Sequence, residues 1–390
     1  ITIPSFFSNR YRDEKKMLQV IAAIFIVIFF IPYTASGFAA CGKLFSSLFG
    51  VNYLTAMIIS AIVIVAYTTL GGFLAASTTD FIQSIIMSVA LIVVLIFGVE
   101  TAGGIGAVIH NASELPGYLS MTLSYDVNTG KAAPYSALTI VSTAAWGLGY
   151  FGMPHILLRF MAIEDEKKLK LSRRVATIWV VISLFVAVFI GVIGYTMSKV
   201  GALEMLTGSN SETIIVKISA LLSQHGVIFA LLAGVILAGI LASTMSTSDS
   251  QLLAASSAVS SDILGAFRKD SSNKNGSMAA ARITLLVISV VAAFIARNPD
   301  SSVFAIVSFA WAGFGAAFGP VVLFSLFWKR TNKWGALAGM VCGGSMVFIW
   351  KYLIRPLGGI WNIYELLPAF LIACAAIVIV SLLTPKPSKE

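Results

Sequence analysis

A bundle of about ten membrane-spanning α-helices is the fold class this sequence predicts, and three observations predict it. The chain has 390 residues and is 58% hydrophobic but only 11% charged, where soluble domains run near a quarter charged. Its apolar residues gather in runs long enough to cross a bilayer. Its lysines and arginines fall in alternate loops between those runs, as topology-setting charges do. Lipid offers backbone groups no partners, so the buried chain must be helical. The net charge of +9 therefore orients the chain in a membrane and gives no argument for nucleic acid.

In chain order, the first span, 17–41, contains Pro32-Tyr33 and reads as a kinked helix. Span 53–75 ends near Gly71-Gly72, and span 80–100 begins after Thr78-Thr79-Asp80, which reads as an ordinary helix cap. Span 136–160 carries Trp146-Gly147-Leu148-Gly149-Tyr150-Phe151-Gly152-Met153-Pro154-His155. Three glycines and a proline so close together should weaken or break a helix. Span 175–197 follows a basic loop that also holds Glu164-Asp165-Glu166, a solvated cluster. Span 226–253 is almost wholly apolar and then turns polar at its end. Spans 278–296, 302–328, 334–350 and 366–383 complete the set. The long segments 101–135 and 198–225 contain turn residues, including Asn128-Thr129-Gly130, and suit short helices or lids. Residues 271–277 read as a flexible link. One transmembrane domain thus covers 1–384, and 385–390 form a polar tail. With the N-terminus inside, basic groups such as Arg10, Lys15, Lys168, Arg173, Arg174, Lys329 and Arg330 all lie on the inner side. That places both termini of this chain in the cytosol and the protein in the cell membrane. Cys41, Cys342 and Cys374 sit in or beside apolar spans and read as small hydrophobes, with no disulfide or metal spacing.

Two stretches carry chemistry. Ser243, Thr244, Ser246, Thr247, Ser248, Asp249 and Ser250 crowd the end of span 226–253. At helical spacing Ser246, Asp249 and Ser250 share one face, and Ser243 and Thr247 a neighbouring one. Such oxygens suit a hard cation like sodium, or else serve as hydrogen-bonding glue between helices. Asp249 favours the ion, because an acid at membrane depth is a functional hypothesis by default. The second stretch is the interrupted helix around Trp146–His155. Broken helices of transporters grip ions and carboxylates with freed backbone groups; the plainer alternative is a kink with close glycine packing. Trp146 and Tyr150 would share a face where the helix survives and could pack on a ring or aliphatic group. His155 reads as a packed or loop residue before it reads as a proton relay.

With these stretches in view, the chain resembles the sodium/solute symporter family. The resemblance is carried by W-G-L-G-Y-F-G-M-P-H-I-L-L-R-F-M-A at 146–162, S-F-A-W-A-G-F-G-A-A-F-G-P-V-V-L-F-S-L-F-W at 308–328, G-G-F-L-A-A-S-T-T-D at 71–80 and M-S-T-S-D-S-Q-L-L at 245–253. It extends to about residue 383 and is greatest to members that carry L-proline. It implies the five-plus-five inverted-repeat (LeuT-type) transporter fold, with sodium and cargo near the midplane. It also implies that Ser246 and Thr247 supply sodium-ligand hydroxyls, Ser243 a backbone carbonyl, and Asp80 an acid linked to sodium on the inner side. Asp249 and Ser250 would add a further sodium position. Tyr33, Trp146, Tyr150 and Pro154 match positions tied to substrate binding and coupling. Family members begin with three further helices, so the ten spans would be the last ten of thirteen and the chain a piece of a longer protein. Met153 stands where glutamine is usual and Asp249 where a small hydroxyl is common; the first is expected to alter substrate contacts.

The expected activity is sodium-coupled symport of L-proline into the cell by alternating access, with sodium as coupling ion, no cofactor, no transition metal and no obligate protein partner. Alternatives within the class are pantothenate, urea or a sugar acid as cargo. A transporter-like sensor would need an output domain, and none follows residue 384 in this chain. An enzyme would need clustered acids or histidines around one cavity, and the sequence shows no such cluster.

Overall fold

A computed structural model describes residues 2–127, 129–267 and 274–387, with the side chains of 72–75 and 274–277 outside that description. Asn128 of the expected turn and residues 271–273 of the expected link therefore lie outside the described residues.

The helices are α1 (Ile3–Arg10), α2 (Met17–Phe49), α3 (Tyr53–Thr101), α4 (Ile105–Ser113), α5 (Ala137–Ala144), α6 (Pro154–Met161) and α7 (Leu169–Lys199). They continue with α8 (Ile214–Ser223), α9 (Val227–Ser257), the single turn α10 (Leu264–Phe267), α11 (Lys274–Ile295), α12 (Val303–Phe327), α13 (Lys333–Ile349) and α14 (Leu366–Leu383). A small antiparallel hairpin, β1 (Leu123–Asp126) with β2 (Lys131–Pro134), pairs Leu123 with Pro134 in the long outer segment. Among the described residues, nine helical stretches are long and apolar enough to cross a membrane. The remaining expected span, 136–160, is present in pieces: α5, a 3-10 segment Ala145–Gly152, and α6.

α12 is the centre of the bundle. Every residue from Phe309 to Val322 is buried, which explains why its sequence is apolar all round. α2, α13, α14 and the 3-10 segment pack around it. Phe29 and Phe30 of α2 meet Phe314, and Phe318 stacks on Phe7 of α1. Close approach depends on small residues. A Cβ on Gly313 would strike the Phe29 ring, and one on Gly343 would strike the Ala316 carbonyl. α2 meets α9 in the same way, with Gly37 against Ser248. Such contacts are how helices associate in lipid, where burial of apolar surface supplies no preference.

Two expectations are corrected. Thr78-Thr79-Asp80 is not a cap: α3 runs unbroken from Tyr53 to Thr101 and contains both spans, Tyr53–Gly71 and Ala76–Thr101. Thr79 Oγ1 bonds back to the Ala76 carbonyl inside the helix, as Ser and Thr do where water is scarce. The described part of the 271–277 link, residues 274–277, belongs to α11. The outer segments do form short helices, α4 and α8. Glu212, just before α8, accepts from Lys43 Nζ at 2.8 Å, Ser302 Oγ at 2.8 Å and the amides of Val303 and Phe304 at 3.3 Å. Burial alone would raise its pKa, but those donors outweigh burial and hold the carboxyl below its ordinary value. It ties the outer segment to α2 and to the N-terminus of α12, where a helix favours negative charge.

Candidate functional site

The break in span 136–160 comes from its glycines and proline. Met153 is extended and Pro154 opens α6 at its first position, where the missing amide costs nothing. The 3-10 segment lies directly on α12. A Cβ on Gly149 would collide with the Trp311 indole, and one on Gly152 would collide with the Phe314 carbonyl. The backbone freed by the break finds specific partners: Trp311 Nε1 donates to the Trp146 carbonyl at 2.9 Å.

Trp146 is stacked against Trp311 and Phe304, both at 5.4 Å, and against Tyr364 at 5.8 Å. Tyr150 meets the same Trp311 edge-on at 4.8 Å, and is exposed. The two expected aromatics thus converge, through Trp311 and not through a shared α-helical face. Tyr33 is 8% exposed and its ring lies 6.0 Å from His155. His155 also faces Phe30 at 5.8 Å. Met153 is fully buried in the core beneath the break.

The hydroxyl cluster divides in two. Ser246 Oγ and Thr247 Oγ1 both donate to the Ser243 carbonyl, at 3.1 and 3.0 Å. Each hydroxyl therefore keeps lone pairs to offer. One turn on, a second group spans three helices. Arg159 Nη2 donates to Asp80 Oδ2 and, at 2.8 Å, to Ser250 Oγ. Ser250 Oγ donates to Asp249 Oδ1 at 3.3 Å, and Tyr67 donates to Asp249 Oδ2. Asp80 of α3, Arg159 of α6, and Ser250 and Asp249 of α9 are thereby joined. No described contact links this group to Ser246 or Thr247.

A cavity of about 670 Å³ runs past the second group. Pro154, His155, Arg159 and Ser250 line it, and it continues to Thr2 and Asp262. Tyr33, Trp146, Tyr150, Ser246 and Thr247 are not among its lining residues. Among the described residues no group of three or more His, Cys, Asp or Glu is placed to hold a metal. Oxygen ligands of hydroxyl and carboxylate type remain what the site offers.

The comparisons with known proteins fit this geometry. The profile of the sodium:solute symporter family matches residues 1–343. The chain belongs to that family. The osmoregulated proline transporter OpuE of Bacillus subtilis is 39% identical over all of this chain and 75% of its own length. The sodium/proline symporter of Salmonella typhimurium is 38% identical over all of this chain and 74% of its own. A solved Na+-coupled sialic acid symporter, in a substrate-bound outward-open state, superposes with a TM-score of 0.77 at 17% identity, over all of this chain and 78% of that one. At that identity it speaks for the fold, which is the five-plus-five LeuT-type transporter fold. This family member is a multi-pass membrane protein.

Three residues of the site escaped sequence reasoning. In the sequence Arg159 and Tyr67 are members of the spans 136–160 and 53–75, and Trp311 belongs to a motif with no assigned role. Arg159 alone leaves a signal, since it lies within the 146–162 motif four residues after His155.

Proposed function

We propose that the chain carries sodium-coupled uptake of L-proline by alternating access, with both its termini in the cytosol. The observation that carries the reading is the pairing of a glycine-broken helix with a hydroxyl and carboxylate cluster, in a chain whose relatives are named proline transporters over its full length. Sodium would bind at the Ser243 carbonyl and the hydroxyls of Ser246 and Thr247, with Asp80, Asp249 and Ser250 forming a second station inward. Cargo would bind against the break, bounded by Tyr33, Trp146, Tyr150 and Pro154. Trp311 and Tyr364 hold the Trp146 ring in place, so cargo meets a preset surface. Sodium entry contributes about 2.3 kcal/mol per charge per 100 mV of membrane potential. Coupling requires each ligand to favour the binding of the other.

The test of cargo is competition. Cells producing the full-length protein should take up labelled proline in sodium buffer. Excess unlabelled proline should abolish the signal, while pantothenate, urea and sugar acids should leave it intact. No sodium-dependent uptake of labelled proline, with labelled pantothenate, urea or a sugar acid taken up in its place, would transfer the reading to another solute.

A further inference from the structure

The outer end of α13 does not stop at Ile349. It runs on as a wide π-helical turn, Trp350–Ile354, and then as two short 3-10 turns, Arg355–Leu357 and Gly359–Asn362. Gly358 and Gly359 reverse the chain at positive φ, a conformation glycine adopts freely. π-helical turns are rare and often accompany a functional site. Here the turn and the reversal bring Lys351 and Arg355 onto one acid. Arg355 Nη1 donates to Glu365 Oε2 at 2.9 Å, and Lys351 Nζ lies 3.6 Å from Glu365 Oε1. Arg355 Nε also donates to Asn362 Oδ1 at 3.0 Å, and Lys351 Nζ sits 4.3 Å from the centre of the Phe309 ring on α12. Glu365 itself is wholly buried. A buried ionic group of this kind rarely stabilises a fold more than apolar side chains of similar volume would, which leaves geometry as what it can supply. The residue beside it has an exact seat. The Tyr364 amide donates to Ser142 Oγ of α5 at 3.1 Å, and its hydroxyl donates to the Ser308 carbonyl of α12 at 2.6 Å. The Tyr364 ring lies 16° from parallel on the Trp146 ring.

We propose that Glu365 is a positioning residue for the cargo site. Held by Arg355 and Lys351, it keeps Tyr364 pinned between α5 and α12, and Tyr364 sets the tilt of the Trp146 ring. Glu365 touches no cargo; it acts through two aromatic rings in series. The inference rests on the reading above that cargo packs on Trp146, and it adds the device that presets that surface. Trp311 backs the same ring from α12, so the ion group governs the Tyr364 side alone. Loss of the acid leaves Lys351 and Arg355 without their counter-charge. Their repulsion loosens residues 355–365 and releases Tyr364 from the Trp146 ring.

The experiment uses the purified full-length protein in proteoliposomes, with labelled proline and saturating sodium. Glu365→Gln should raise half-saturating proline about three- to tenfold, the size of one aromatic contact. The maximal rate per inserted protein should stay within about twofold, whereas a merely structural defect lowers that rate instead. Glu365→Asp should recover part of the loss. Tyr364→Leu should raise half-saturation similarly, and adding Glu365→Gln to it should do little more, because the acid acts through that ring. The fluorescence that Trp146→Phe removes should be more open to iodide quenching when Glu365→Gln is present. A Glu365→Gln protein with wild-type half-saturation overturns the proposal, as do effects of the two variants that simply add, or unchanged quenching. Should Glu365→Gln fail to insert, Arg355→Gln takes its place under the same criteria. Absence of proline uptake by the wild type overturns the cargo reading, and the quenching then decides the positioning of Trp146 by itself.

Discussion

Ser246 and Thr247 show what a single hydroxyl contributes here. Each spends its proton on the Ser243 carbonyl and turns lone pairs outward, so the two oxygens are preset as acceptors. Removing either one should cost ion affinity and leave the fold nearly untouched, since half-buried Ser-to-Ala changes in a helix remove no packing volume of note. Ser246→Ala or Thr247→Ala in the full-length protein should raise half-saturating sodium about tenfold or more, the loss of one ion ligand being about 1.4 kcal/mol or more. Expression and insertion should match wild type. Wild-type sodium dependence in both variants would remove them from the ion site. These hydroxyls are legible in the sequence as a polar cluster ending an apolar run, which leaves an ion site or helix–helix glue as its readings. Asp249 was legible for the same reason. Tyr67 was not: its partner lies 182 residues away, and nothing local distinguishes a tyrosine that serves an acid from one that packs. Trp311 was hidden likewise, among the small and aromatic residues of α12.

The broken helix is the element against which cargo is proposed to bind, and its glycines let two backbones touch. A Cβ on Gly152 would fall on the Phe314 carbonyl and 2.8 Å from the Gly319 amide nitrogen. Backbone on both sides cannot yield as a side-chain tip can. Gly152→Ala should therefore destabilise the protein by about 1–3 kcal/mol, seen as a lowered melting temperature in detergent together with reduced proline affinity. An unchanged melting temperature would mean that the segment does not sit on α12 as described. The break was readable from three glycines and a proline, whereas its 3-10 course and its seat on Trp311 depend on a helix far away in sequence. α3 misled for a related reason. Thr78, Thr79 and Asp80 imitate a cap, but Thr79 bonds inside the helix and Asp80 turns to Arg159.

A second element-scale expectation concerns the outer segment around Glu212. Its carboxyl is held below the ordinary value in the folded state. The stabilisation is therefore present above the unfolded value of about 4.3 and is lost as pH falls through the lower folded value. Hydrogen-exchange protection of residues 198–225 should be full near neutrality and fall away in strong acid. Glu212→Gln should lower protection at neutral pH and remove the acid transition. Retention of that transition in the variant would place its cause elsewhere.

At the scale of the whole molecule, lipid made most of the fold legible. Every span had to be helical, long and apolar, and among the described residues the nine helical stretches that meet those terms coincide with expected ones. What could not be read was which helix would be central. α12 is not the most hydrophobic helix of the bundle, since α14 exceeds it; its glycines and alanines, by allowing α2, α13, α14 and the broken segment to approach at once, make it the axis. Around that axis the hydroxyls and Asp249 lie on α9 and the break lies in the 145–161 segment. They are bridged by Arg159 and Ser250. On the proposed reading, such a bridge would give ion and cargo a shared structural element through which each biases the other.

Sodium replacement tests this account most directly. Uptake of labelled proline by the full-length protein in proteoliposomes, with an imposed membrane potential, should fall to the level of empty vesicles when external sodium is exchanged for potassium or choline. Uptake that continues at the sodium rate in either salt would contradict it.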